Sequence, residues 1–565
     1  MRVGALIVAS TCIHQLVRLR FPEAETASHR AIALPRSNGD GVRVLQRVGG
    51  FVLAQISSAA VHGVDAFLVK VEVDLGNGLP SISVVGLPEG AVKEGRERVM
   101  AALHNGSFEI PPRKITINLA PADVPKAGSA FDLPIALGLL VASGVVAQEV
   151  LANTCILAEL GLDGDLRSVR GALPIALRCR EEGIVRLIVP PANAREAAVV
   201  EGIEVCTAAT LSDIVAMLKG VQPWRTVKLD AHELDVAVLP STDVDFADVK
   251  GQDHAKRALE IAAAGQHNIL MIGPPGSGKS MLARRLATIL PPMNRIEALE
   301  VTKVHSVAGR LQPGQALIHA RPFRAPHHTI SDSGLVGGGT HPRPGEASLA
   351  HHGVLFLDEL PEFKRHVLDS LRQPLEDGTI VIGRARLSVT YPAQFMLAAA
   401  MNPCPCGYYG TGDARCTCHP THVQRYVARV SGPLLDRFDL HVPVPAVPPR
   451  ELLARPTGEP SATIRERVVA ARVRQLERFR ARPGVFANAH MTPRDMRNYC
   501  QIEEGAEQLL RNAIQKLGLS ARAYHRVLRL ARTIADLDAS KSIATAHVAE
   551  AIQYRSLDRR AAVAG

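Results

Sequence analysis

Gly273-Pro274-Pro275-Gly276-Ser277-Gly278-Lys279-Ser280 fits the pattern G-x-x-x-x-G-K-[ST]. The apolar stretch Asn268 to Ile272 (NILMI) precedes it, and Met281 to Leu290 follows with the pattern of a helix. A strand, a glycine-rich loop and a helix in that order form a phosphate cradle. The glycines let consecutive backbone N–H groups turn inward on the phosphates, Lys279 neutralises the β/γ oxygens, and the Ser280 hydroxyl can ligate Mg²⁺. All eight loop residues are expected to bind a nucleoside triphosphate, and the chain is expected to be α/β.

Outward from the loop, 565 residues exceed one hydrophobic core, so several domains are expected. A chain that is 47% hydrophobic and 21% charged fits globular domains rather than a disordered polymer. The best apolar run, Leu133 to Ala147, contains Pro134, Gly138, Ser143 and Gly144, and reads as a buried helix rather than a membrane span. No membrane partner is expected. The net charge of +10 favours polyanionic partners without requiring them. Nine cysteines in a nucleotide-using chain point to reduced thiols or metal ligation in the cytoplasm, rather than to a disulfide framework.

Residues 1–50 carry seven arginines, three acidic residues and no sustained periodicity, and read as a disordered extension or a misplaced start. Residues 51–220 alternate strands (Phe67 to Asp74, Ser81 to Val85, Ile115 to Leu119, Leu187 to Val189) with helical stretches, as one α/β domain. A polar connector, 221–248, leads to a second α/β block at 249–443 that carries the cradle. The proline-rich stretch 444–462 then separates it from an all-helical region at 463–558.

Further residues gather around the cradle. Val354-Leu355-Phe356-Leu357-Asp358-Glu359 is an apolar strand ending in two carboxylates and is expected beside the cradle strand. Asp358 would hold Mg²⁺ and Glu359 would act as general base on the attacking water. Phe395 to Met401 is a strand ending at Asn402, placed to orient that water. Arg437, in Gly432 to Asp439, is a candidate to reach a neighbouring subunit's nucleotide; the alternative is a local salt bridge to Asp436 or Asp439. Arg522, or less favourably Arg526, could swing onto the phosphates from the helical region.

These residues, with Arg321-Pro322-Phe323-Arg324-Ala325-Pro326-His327-His328 and Arg343 to His351, resemble the magnesium-chelatase-like AAA+ ATPases, and more narrowly the YifB/ComM group. The likeness covers Phe51 to Asp558. It implies a Lon-protease-like N-terminal fold, an AAA+ core using ATP and Mg²⁺, a helical lid, and a ring that is expected to be a hexamer. It also implies a DNA motor, with branch migration or helicase activity in recombination and natural transformation. Lon-type proteases use a serine and lysine pair, and here Ala130 falls in the serine slot and Cys179 in the lysine slot. Ser129 without a base beside it is an ordinary hydroxyl. Proteolysis is thus disfavoured, while a chelatase-type remodeller of a protein partner stays open.

Two features concern other ligands. Thr379 to Thr390 alternates apolar and polar residues around Gly383, as a hairpin does, with Arg384 and Arg386 near its tip. The resemblance implies a pore-facing hairpin, where both arginines would meet DNA phosphates; a solvated tip is the plainer reading. Cys404, Cys406, Cys416 and Cys418 suit tetrahedral zinc, with reduced thiols, or His419 or His422 in place of one sulfur, as alternatives. The arginines of Thr463 to Arg482 read as a solvated face.

Overall fold

Period-two burial shapes the long strand Asp65–Gly76, where Val69, Val71, Val73 and Leu75 are buried and the residues between them are not. It pairs in antiparallel register along its length with Leu53–His62, from Leu53 opposite Asp74 to His62 opposite Asp65. The computed structural model describes residues 53–555 apart from 127, 231–232, 235–243, 340–341, 385–386, 454–457, 483 and 518–519. They divide into two units: Met1–Asp235 with His305–Leu317, and Val236–Val304 with Ile318–Gly565.

The first unit holds an eight-stranded mixed sheet in the order Thr226–Val227, Glu204–Thr207, Arg186–Val189, Thr154–Ile156, Leu53–His62, Asp65–Gly76, Lys114–Ala120, Ser81–Val85. Helix Asp132–Ala142 is buried at every residue and packs on the two central strands. Two details depart from the sequence reading. Leu53–His62 is a central strand although its run of serine and alanine gives little β signal. Thr226–Val227, assigned to the connector, is the edge strand and pairs with Val205 and Cys206.

The second unit is built on a five-stranded parallel sheet, Phe323–Arg324, Val354–Leu357, Met396–Met401, Ile269–Ile272, Leu440–Pro443. Val354–Leu357 and Met396–Met401 are buried throughout, as parallel strands covered on both faces must be. The expectation that Val354–Leu357 lies beside the cradle strand is corrected. Met396–Met401 lies between them, pairing with Val354–Leu357 on one side and Ile269–Ile272 on the other. Asn402 therefore emerges between the carboxylates and the loop.

The helices Ser461–Arg478, Ala521–Leu537 and Thr545–Gln553 bury Val468, Ala471, Leu530, Ile534 and Val548 in one core with Ala258, Ile261, Ile269 and Met271. Arg472 is wholly buried, and burial pushes its pKa down to about 9. It donates to the carbonyls of Ala264 (3.2 Å) and Ala263 (3.1 Å) at the end of helix Asp253–Gly265, where a helix favours a cation. Arg467 binds Glu260 and Glu459, and Arg478 binds Asp536. The arginines of this helix are thus fastenings, not only the solvated face expected of them. Among the described residues, no helix is long and apolar enough to cross a membrane.

Candidate nucleotide site

The loop turns where glycine is needed: Gly276 and Gly278 have φ of 74° and 90°, the left-handed region that side chains disfavour. Gly278 caps helix Lys279–Ile289, so the helix begins at the loop with its first N–H groups unspent on the helix itself. Gln252, itself at φ 62°, braces the loop from outside, its Nε2 donating to the carbonyls of Ser277 and Pro445, both at 2.9 Å.

Lys279 is buried, which pushes its pKa down, against the opposing pull of Asp358. Its ammonium donates to the carbonyls of Gly273 and Pro274 at 2.8 Å each and to Asn402 Oδ1 at 3.1 Å. Ser280 Oγ donates to Asp358 Oδ2 at 2.5 Å, and Asp358 Oδ1 accepts the N–H of Glu359. A hydroxyl and a carboxylate oxygen in contact beside a lysine fit a hydrated Mg²⁺ and its phosphates, with Ser280 and Asp358 as the holding pair. Bound Mg²⁺ would neutralise charge on those phosphates.

Glu359 sits at φ 52° with its side chain largely exposed, and its Oε2 lies 3.2 Å from His328 Nδ1. His328 closes the stretch Arg321 to His328, and the sequence assigns it no role. Its partnership crosses 31 positions of sequence, and no spacing rule signals it. Gln252 and Glu376 were missed for the same reason.

The remaining candidates lie as follows. Arg437 is buried, its guanidinium bound to Glu376 rather than to Asp436 or Asp439. Arg526 donates to the Phe438 carbonyl at 3.2 Å, and Arg522 stands exposed in the first turn of Ala521–Leu537. Thr379–Arg384 and Leu387–Pro392 pair as an antiparallel hairpin that ends at Arg384. Arg386 lies outside the described residues. The sulfurs of Cys404, Cys406, Cys416 and Cys418 all lie within 4.8 Å of one another. Neither His419 nor His422 joins them; His419 Nδ1 lies 2.9 Å from Thr421 Oγ1 at the start of helix Pro420–Val427.

In the first unit the expectation of a Ser129 without a base beside it is corrected, since a carboxylate lies against its hydroxyl. Ser129 donates to Glu159, and Cys179 is buried beside Cys155, whose thiol is pushed up by that contact and by burial.

Residues 245–452 match the family described as "Magnesium chelatase, subunit ChlI". Residues 71–193 match "Subunit ChlI of Mg-chelatase", and 458–555 match "Magnesium chelatase, subunit ChlI C-terminal". The chain is 47% identical over 511 residues to competence protein ComM of Haemophilus influenzae, covering 90% of this chain and 98% of that protein. The chain belongs to the YifB/ComM family of magnesium-chelatase-like AAA+ proteins. YifB of Escherichia coli is 45% identical over 509 residues, 90% of this chain and 98% of its own. A more distant relative, the magnesium-chelatase 38 kDa subunit of Rhodobacter capsulatus, is 28% identical over 283 residues, 47% of this chain and 69% of that protein. Membership of the YifB/ComM family implies use of ATP and Mg²⁺, in keeping with the contacts of Lys279, Ser280 and Asp358.

Proposed function

We propose that this protein is an ATP-driven ring motor that acts on DNA in the cytoplasm, with ComM-like branch migration or helicase activity in recombination and natural transformation. One observation carries the ATPase part. Lys279, Ser280, Asp358 and Asn402 converge through direct hydrogen bonds at the ends of three adjacent parallel strands. In this reading Glu359 is the general base, Asn402 orients the water, and Arg437 and Arg522 act on the phosphates, Arg437 from the next subunit of a hexamer. The four thiols hold zinc.

DNA as the substrate is supported by the net charge of +10, by the hairpin ending at Arg384, and by the name of the competence protein that the chain resembles. The first unit is read as a Lon-protease-like module without a dyad, serving binding or assembly. The test is ATP hydrolysis by the purified full chain with and without single-stranded and branched DNA across a salt titration. Stimulation that fades steeply with salt is expected, because phosphate contacts release counterions. Hydrolysis indifferent to DNA would favour the second reading, a chelatase-type remodeller of a protein partner, which the three magnesium-chelatase matches support.

A further inference from the structure

The segment between Asn402 and helix Pro420–Val427 is organised around Cys404. This residue is fully buried, and its sulfur accepts two backbone N–H groups, from Gly407 at 3.2 Å and Tyr409 at 3.3 Å. Such donors orient a thiolate and support its charge. Cys404 Sγ and Cys406 Sγ are 3.3 Å apart, and all four sulfurs fall within 4.8 Å. Four sulfurs at the Zn–S bond length would stand about 3.8 Å apart around one tetrahedral ion, so the spacing suits a single metal rather than a larger cluster. Farther out, Arg415 binds Asp413 and lies 4.0 Å above the Tyr408 ring, which closes the loop on itself.

A second group of possible ligands, Glu300 with His351 and His352, behaves differently. His351 Nδ1 accepts the Gln394 N–H, so its proton sits on Nε2 and faces Glu300. That arrangement makes an imidazole–carboxylate contact in which His351 turns an N–H, not a lone pair, toward the other two groups.

The first part of the thiol loop touches the phosphate cradle at two points. At its stem, Asn402 Oδ1 receives the Lys279 ammonium. At its turn, Gly407 has φ 91°, and a Cβ there would come within 2.4 Å of Pro275 Cδ and 2.7 Å of Pro275 Cγ. Pro275 is a cradle residue, so the turn that presents Cys404 and Cys406 packs closely against the cradle.

Resting on zinc at the four thiols, we infer that the metal-bound loop is the outer wall of the nucleotide site, so that metal occupancy sets the affinity for the triphosphate. Zinc binding exchanges thiol protons for one ion and ties the Cys404–Cys406 turn to Cys416 and Cys418. Loss of the ion frees Gly407 from Pro275 and loosens Asn402 beside Lys279.

The experiment uses the full chain purified without a histidine tag. It measures metal per chain by mass spectrometry, and affinity for a fluorescent ATP analogue with Mg²⁺. One zinc per chain is expected. A chelator that strips it should weaken nucleotide binding about tenfold, and added Zn²⁺ should restore it, which needs no variant to fold. Gly407→Ala should keep its zinc yet bind the nucleotide about tenfold more weakly, because the added methyl meets Pro275. A protein that binds the nucleotide with neither zinc nor any other metal, or with iron, would end the zinc reading and leave the nucleotide site standing. Zinc present, with affinity unchanged on stripping and in Gly407→Ala, would overturn the coupling alone.

Discussion

The two units solve the same architectural problem, a sheet covered by helices, and two pairs of carboxylates, one from each, are placed in opposite ways. In the first, the carboxylates of Asp132 and Glu196 are buried, and burial raises their pKa values to about 6 and about 7. Asp132 meets Arg98 at 2.7 Å, and Glu196 meets the amide of Asn193 at 2.8 Å. These groups are enclosed by their own unit. In the second, Asp358 and Glu359 stand at the end of a buried strand, and the Glu359 side chain is 60% exposed. Acidic groups within reach of solvent can meet a ligand directly, whereas Asp132 and Glu196 spend their oxygens on partners of their own unit. The proposed chemistry accordingly lies in the second unit, although both contain serines, cysteines and carboxylates of the kind enzymes use.

Arg437 is the sharpest challenge to that division, because within its own protomer it is enclosed and paired to Glu376. If it is released to a neighbour's nucleotide on assembly, Arg437→Ala should lose about 10³ to 10⁵ in ATP turnover. Mixing it with Lys279→Ala subunits should then restore part of the activity, since a junction between the two can rebuild one intact site. A mixture as inactive as its components would assign Arg437 to fastening, in the manner of Arg472.

Next in size is the contrast between the two units' reactive residues. Glu359→Gln should bind ATP normally and turn it over about 10² to 10⁴ times more slowly, as loss of a general base does. Lys279→Ala should instead fail at the binding step. Ser129→Ala and Cys179→Ala should change neither step, since one hydroxyl is engaged by Glu159 and the other side chain is core. Steady-state kinetics beside nucleotide titration separates these outcomes. Turnover lost in Ser129→Ala would break the comparison.

The same contrast explains what could be read from sequence. The cradle was legible because its chemistry is carried by backbone and by four fixed side-chain positions within eight residues. Asp358 and Asn402 were legible because buried parallel strands appear as unbroken apolar runs that end at polar residues. The order of those strands was not, since nothing local states that Met396–Met401 intervenes. Leu53–His62 escaped because burial inside a sheet lets serine and alanine stand where β-branched residues would have announced a strand. His328 beside Glu359, Glu376 beside Arg437 and Gly407 against Pro275 are long-range contacts that only the folded chain reveals.

The smallest effect separates the units by pH. Glu196 Oε1 accepts from Asn193, and the carboxyl also meets Ser306 and the Ala172 backbone, but burial dominates and lifts its pKa from 4.5 to about 7. The folded state therefore holds the proton more tightly than the unfolded chain. Its contribution to stability is complete below pH 4.5 and is lost as pH rises through 7. Glu196→Gln removes the ionisation while keeping the shape. Relative to the parent it should gain about 2 kcal/mol between pH 5 and pH 8, seen as a larger rise of the unfolding midpoint at pH 8 than at pH 5. A gain equal at both pH values would mean that Glu196 is ionised in the folded unit throughout, and that its hydrogen-bond donors outweigh its burial. The first unit's carboxylates would then be solvated in effect, like those beside the cradle, and enclosure would no longer distinguish the two sheets.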